Sequence, residues 1–143
     1  MPVVMYRAIS ILLAGLVLGP AADAAACSCA RTPVAVALRD AALVAEVQLV
    51  EVQEAGQRLR FRVDRVFASR IDVEEGEHVW VQHVECNSMP YTGADVGSRS
   101  IAFLGLEHGG LVHHYCSLEI SAWQPIPGPL LEARRRWLRE RGR

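Results

Sequence analysis

Lysine is absent from this chain: all 15 lysine-or-arginine positions are arginines, a bias from which no function follows. A large net charge is absent too, because 15 basic side chains face 16 acidic ones and leave a formal charge of −1. That removes the strong electrostatic pull by which nucleic-acid binders hold phosphate backbones. Arg58, Arg60 and Arg62 form one basic strand face, but a solvated polar face accounts for them, and no nucleic-acid partner is expected. The chain has no nucleophile elbow, no His-Glu-x-x-His and no phosphate loop, and Ser28 sits between two cysteines with no base assigned to it. An enzyme is therefore not expected. There is no internal repeat. Beyond the first 26 residues no stretch is long and apolar enough to cross a bilayer.

What is present begins with a targeting pattern. Arg7 supplies a positive start, and Ala8 to Gly19 is almost wholly apolar, the length of a signal-peptide core. Pro20 then stops any helix. Ala24-Ala25-Ala26 places small residues where a signal peptidase reads, immediately before Cys27. Residues 1–26 are read as a signal peptide, and the mature protein is expected to be secreted or periplasmic, starting at or near Cys27.

All four cysteines, Cys27, Cys29, Cys86 and Cys116, fall in that mature part. An even number in an exported chain of this size suggests a disulfide framework. Four cysteines allow three pairings. Pairing Cys27 with Cys29 closes a very tight ring and is disfavoured. Both remaining pairings tie the first mature segment to two distant places in the chain.

The hydrophobic pattern is mostly that of strands. Pro33 to Asp40 is expected to form one short helix, with Thr32 as N-cap and Pro33 at the first helical position. Ala41 to Gln53 reads as a long strand, with helix as its rival. Arg58 to Asp64 alternates cleanly, with Leu59, Phe61 and Val63 on one face. Val66-Phe67 breaks that alternation and suggests a bulge or bend. Ser69 to Glu77 is polar and reads as a loop. His78 to Val84 is a third strand, and Cys86 to Ser100 a long irregular loop. Ser100–Leu106 and Leu111–Ser117 form a hairpin around Glu107-His108-Gly109-Gly110. Pro125, Pro127 and Pro129 make a stiff connector to an amphipathic helix over Leu130–Arg139, with Leu130, Leu131, Ala133, Trp137 and Leu138 roughly on one side. The expected fold is mostly β: a five-stranded OB-like (oligonucleotide/oligosaccharide-binding type) β-barrel with a short N-terminal helix and a C-terminal amphipathic helix, a small sandwich being the alternative. The expected organisation is a signal peptide over 1–26, the barrel over 27–124, and the connector and helix over 125–143.

Cys27-Ser28-Cys29 directly after a signal segment, then Pro33, then Leu38-Arg39-Asp40-Ala41-Ala42-Leu43-Val44-Ala45-Glu46-Val47 running into a strand, resembles the netrin-like domain of the tissue inhibitors of metalloproteinases, and small bacterial relatives of it most of all. Arg60 to Phe67 and Gly97 to Leu104 also resemble that pattern, so the likeness covers most of Cys27 to Ser117. The inhibitors carry further cysteines, one of them near the position of Leu38. The resemblance implies an OB-like barrel with disulfides Cys27–Cys86 and Cys29–Cys116. It also implies a role as inhibitor of a zinc metalloprotease. The α-amino nitrogen and carbonyl oxygen of Cys27 would sit on the protease's catalytic zinc, and Ser28 would enter the specificity pocket. The chemistry suits the task. Catalytic zinc keeps an open position, and an α-amino group with a pKa of about 7.7–8.0 is partly neutral near pH 7, as a ligand must be. Two disulfides would preorganise the chelate and reduce the entropy lost on binding.

Other readings attach to the same residues. Cys27 also stands where bacterial lipoproteins are acylated, but Ala24 occupies the position that usually holds leucine, and acylation would leave three cysteines. Membrane attachment is expected only through such a lipid. A partner is expected to be a zinc metalloprotease or another exported protein. His78, His83, His108, His113 and His114 are candidate metal ligands, yet adjacent His113 and His114 face opposite ways on a strand and no short His/Cys spacing fits a zinc site. They read as surface or loop histidines, and no metal or other cofactor is expected. The C-terminal helix reads as a cover for the barrel rather than a membrane-surface helix.

Overall fold

In the computed structural model, residues 32–84, 91–114 and 117–142 are described. A short helix α1 (Val34–Asp40) leads into strand β1 (Leu43–Gln53), which a tight turn joins to β2 (Arg58–Ser69). Then follow β3 (His78–Val84), β4 (Arg99–Glu107), β5 (Gly110–His114), a short β6 (Glu119–Ser121) and the C-terminal helix α2 (Gly128–Arg141). The strands run β1-β2-β3-β5-β4, and β4 pairs back onto β1, so five strands close into a barrel. Every pairing in the ring is antiparallel except the seam between β3 and β5, which is parallel. Closure removes most of the exposed sheet edge that makes open β proteins prone to association. β6 lies outside the ring, on the edge of β4 beyond β5.

Two apolar layers hold this together. Inward residues of every ring strand, among them Leu43, Val47, Leu49, Leu59, Phe61, Val63, Val81, Leu104 and Leu111, fill the barrel. A second cluster of Val44, Phe67, Ile101, Phe103, Ile120 and Leu130 lies between the outer wall and the two helices. The break at Val66-Phe67 creates the second layer. The register of β2 against β1 runs Val63–Val47, Arg65–Glu46, Val66–Ala45 and Ala68–Val44, skipping Asp64 and Phe67. Each skipped residue reverses the in–out phase. Val66 therefore returns to the barrel interior while Phe67, fully buried, turns to the helix side.

Most expected elements are present. The β4–β5 hairpin turns on His108 and Gly109, both with positive φ (50° and 80°), the backbone a two-residue hairpin turn requires. Four details differ. Thr32 does not cap α1; Pro33 takes the cap position without a side-chain bond, and the helix begins at Val34. β2 extends through Ser69, because its bulges let it keep pairing with β1. The final strands are β5, ending at His114, and β6, rather than one strand to Ser117. On α2, Leu130 and Ala133 are buried, but Leu131 and Leu138 are exposed, so the covering stripe is narrower than the sequence suggested.

α2 lies on β2 and is fixed at its rim by ions. Arg134 donates from Nη1 to the Val66 carbonyl (2.7 Å) and to Glu75 Oε1 (2.5 Å), and the same carboxylate oxygen accepts from the Val66 N–H (2.9 Å). The Arg134 bond is the main reason the Glu75 carboxyl is held below its ordinary pKa. At the end of α2, Arg141 reaches the Val73 carbonyl and Glu74.

Candidate functional site

The inhibitory edge expected at Cys27 and Ser28, and the pairings Cys27–Cys86 and Cys29–Cys116, lie outside the described residues. The residues that border them are described, and they meet at one end of the barrel. Val84, two residues before Cys86, is the register partner of His114, two residues before Cys116. Ser117, next after Cys116, donates its backbone N–H to the His114 carbonyl (2.8 Å) and accepts from the His114 N–H through Oγ (3.0 Å), closing that turn. Thr32, three residues after Cys29, lines a hollow of about 190 Å³ together with His114, Ser117, Leu118, Phe103 and Ala37.

Just inside this end sits a polar cluster. His83 on β3 and His113 on β5 are partners in the parallel seam, and both are buried. They are not the surface or loop histidines that the sequence suggested. The alternation accounts for it: Val81 and Leu111 point into the barrel, and residues two further along each strand face the same way. The two Nδ1 atoms stand 3.0 Å apart, with ring centroids 5.2 Å apart and planes 23° from parallel. Tyr91 meets both rings edge-on, at 5.0 Å from His83 and 6.2 Å from His113. Its hydroxyl donates to Glu119 Oε2 on β6 (3.2 Å). That oxygen also lies 3.6 Å from His113 Nε2, a buried nitrogen with no hydrogen bond of ordinary length.

The electrostatics assign the protons. Burial lowers the His113 pKa below its ordinary 6.5; the Glu119 charge opposes this, and His83 and His114 add to it. His113 is thus neutral near pH 7, with one ring proton. A carboxylate 3.6 Å from Nε2 favours that nitrogen as the protonated one, leaving Nδ1 to accept. On that assignment His83 donates from its own Nδ1. Tyr91 is pushed above its ordinary pKa by burial first and by the adjacent Glu119 charge and hydrogen bond second, so it remains a neutral donor. The arrangement suits holding and sensing protons. Among the described residues, no group of three or more histidine, cysteine, aspartate or glutamate side chains is placed to hold a metal ion.

The sequence carried a signal for this cluster: His83 stands three residues before Cys86, and His113 three before Cys116. The repeat becomes meaningful once β3 and β5 are known to run parallel in register, a pairing between segments 30 residues apart. The remaining histidines differ. His78 and His108 are exposed, and half-exposed His114 bonds Glu107 through Nε2 (2.7 Å) on the outer face.

The basic strand face is neutralised locally. Arg58 lies 3.9 Å from Glu54, Arg60 2.7 Å from Glu51 and Arg62 2.8 Å from Asp64. Arg58 and Arg60 also stack on Trp80, at 4.6 and 5.5 Å from its ring centre. No helix among the described residues is long and apolar enough to cross a membrane. No protein-family model matches the chain, and no curated protein matches it.

Proposed function

We propose that this protein is an exported, disulfide-stapled binding domain that inhibits zinc metalloproteases. The Cys27 amino group and carbonyl would chelate the catalytic zinc, and Ser28 would occupy the adjacent specificity pocket. The observation that carries this reading is the meeting of Thr32, Val84, His114 and Ser117 at one barrel end. Thr32 is three residues after Cys29, a reach of at most about 11 Å. Cys86 and Cys116 each follow within two residues of a strand partner at that end. The topology thus supports tying the Cys27-Ser28-Cys29 segment to the barrel by Cys27–Cys86 and Cys29–Cys116. A direct Cys86–Cys116 link is the rival pairing, since Val84 and His114 are neighbours, but it would leave Cys27 and Cys29 to close a strained ring on each other.

OB-type barrels host many unrelated functions, so the test is functional. The exported protein is titrated against a panel of zinc proteases, with its native N-terminus and with one alanine added before Cys27. Inhibition by the native form alone is the expected result, because the extra residue turns the chelating amine into an amide. Equal inhibition by both forms rules out amine chelation. Inhibition by neither leaves a non-inhibitory periplasmic or extracellular interaction module, anchored by lipid if Cys27 is acylated.

A further inference from the structure

We propose that the buried His83–His113 pair is an acid-sensitive latch on the seam that closes the barrel: it holds while at least one of the two facing Nδ1 atoms lacks a proton, and it opens when both are protonated. The proposal does not rest on protease inhibition and stands or falls separately from it.

The geometry leaves little choice. At 3.0 Å, two Nδ1 atoms share one proton as donor and acceptor. A first extra proton is compatible with the bond, because an imidazolium still donates from Nδ1 to a neutral partner. A second extra proton must go to the accepting Nδ1. Two N–H groups, each on a cation, would then point at one another inside a buried site. The contact has to break.

The surroundings set how far acid must go. Glu119 on β6, 3.6 Å from His113 Nε2, steadies the first added charge. Tyr91 faces both rings and donates to the same carboxylate, so it competes for that charge. Asp95, near Tyr91, helps to keep the phenol protonated, and His114, next along β5, adds repulsion once charged. Just before β2 the Gln57 carbonyl accepts the His83 N–H (2.7 Å), and on β2 Arg58, opposite Gln82, brings a charge that stacks on Trp80; on β4 Gly105 lies beside Val112, and Glu107 is bonded to His114.

Position makes the pair a latch rather than a local defect. Among the described residues the β3–β5 seam spans Val81–Val84 against Leu111–His114 and is the one parallel contact in the ring. His83 and His113 are its third rung, on the side from which the chain leads to Cys86 and Cys116. Breaking that rung loosens the barrel at its closure while the α2 side stays packed.

The experiment is a histidine-resolved NMR titration of the full exported protein, from about pH 8 to about pH 4.5, with stability measured over the same range. At the upper end opposite tautomers are expected, His83 protonated at Nδ1 and His113 at Nε2. On acidification the pair should take up its protons in two separated steps, the second together with a shift of the Tyr91 ring signals. Below about pH 6.5 the unfolding equilibrium constant of the wild type should rise by up to about tenfold per pH unit for each proton taken up. His113→Gln, which cannot be protonated, should flatten that rise. The latch is overturned if the rings share one tautomer, if they titrate independently with Tyr91 unmoved, or if wild type and variant lose stability in parallel. The first two readouts need no variant.

Discussion

Where α2 lies on β2, the wall is held by apolar burial, with Phe67 and Leu130 fully enclosed and Arg134 and Glu75 closing the rim. Where β3 meets β5, two imidazoles, a phenol and a carboxylate fill the same kind of space. The first region has little that titrates near neutrality. The second holds a histidine that folding keeps neutral. One barrel thus carries a wall insensitive to mild acid and a seam that responds to it, and the responsive side is the one from which the chain leads to two of its cysteines.

The acid response should separate the two. A depressed histidine pKa means that the unfolded chain binds the proton more tightly, so the His113 contribution is complete above about pH 6.5 and falls away below it. Glu75 is also depressed, from 4.5, so its contribution is complete above that value and is lost only in stronger acid. A stability–pH curve should therefore fall in two stages. A single stage near pH 4 would mean that the seam does not titrate as described.

Substitutions sharpen the contrast. Phe67→Ala should remove about 3–5 kcal/mol in denaturant unfolding, with little change in the mild-acid stage, because it empties the layer beneath the helices. Tyr91→Phe should cost about 0.5–1.5 kcal/mol through the lost bond to Glu119. It should also ease the first protonation of the pair by leaving the carboxylate to His113. Glu75→Gln should cost about 1 kcal/mol or less, since the side chain is 37% exposed and its ion pair is screened, and should blunt only the strong-acid stage. Arg58→Gln should cost about 0.5 kcal/mol, removing one cation from the exposed Trp80 face and leaving both stages intact. An order other than this would show that the two regions are not held as described.

Much of the barrel was legible in the chain. The alternation through Leu59, Phe61 and Val63 marked the inward face of β2, the break at Val66-Phe67 marked its bulge, and the turn at His108-Gly109 marked the final hairpin. What stayed hidden was non-local. Nothing in the segment around His83 says that it will lie parallel to the segment around His113, so two histidines that read as surface residues became a buried pair. β6 was hidden for the same reason: three residues show no period, and only the free edge of β4 makes them a strand. The narrow stripe on α2 follows from the bulge that sends Phe67 outward to meet Leu130, a detail of register rather than of helix pattern.

The most direct test of the account is peptide mapping of the natively exported protein by mass spectrometry without reduction. It predicts a chain that starts at Cys27 with an unmodified α-amine, and two crosslinked peptide pairs, Cys27–Cys86 and Cys29–Cys116. A Cys86–Cys116 crosslink, an acylated Cys27 or a start upstream of it would contradict the proposal that this barrel end presents a chelating N-terminus.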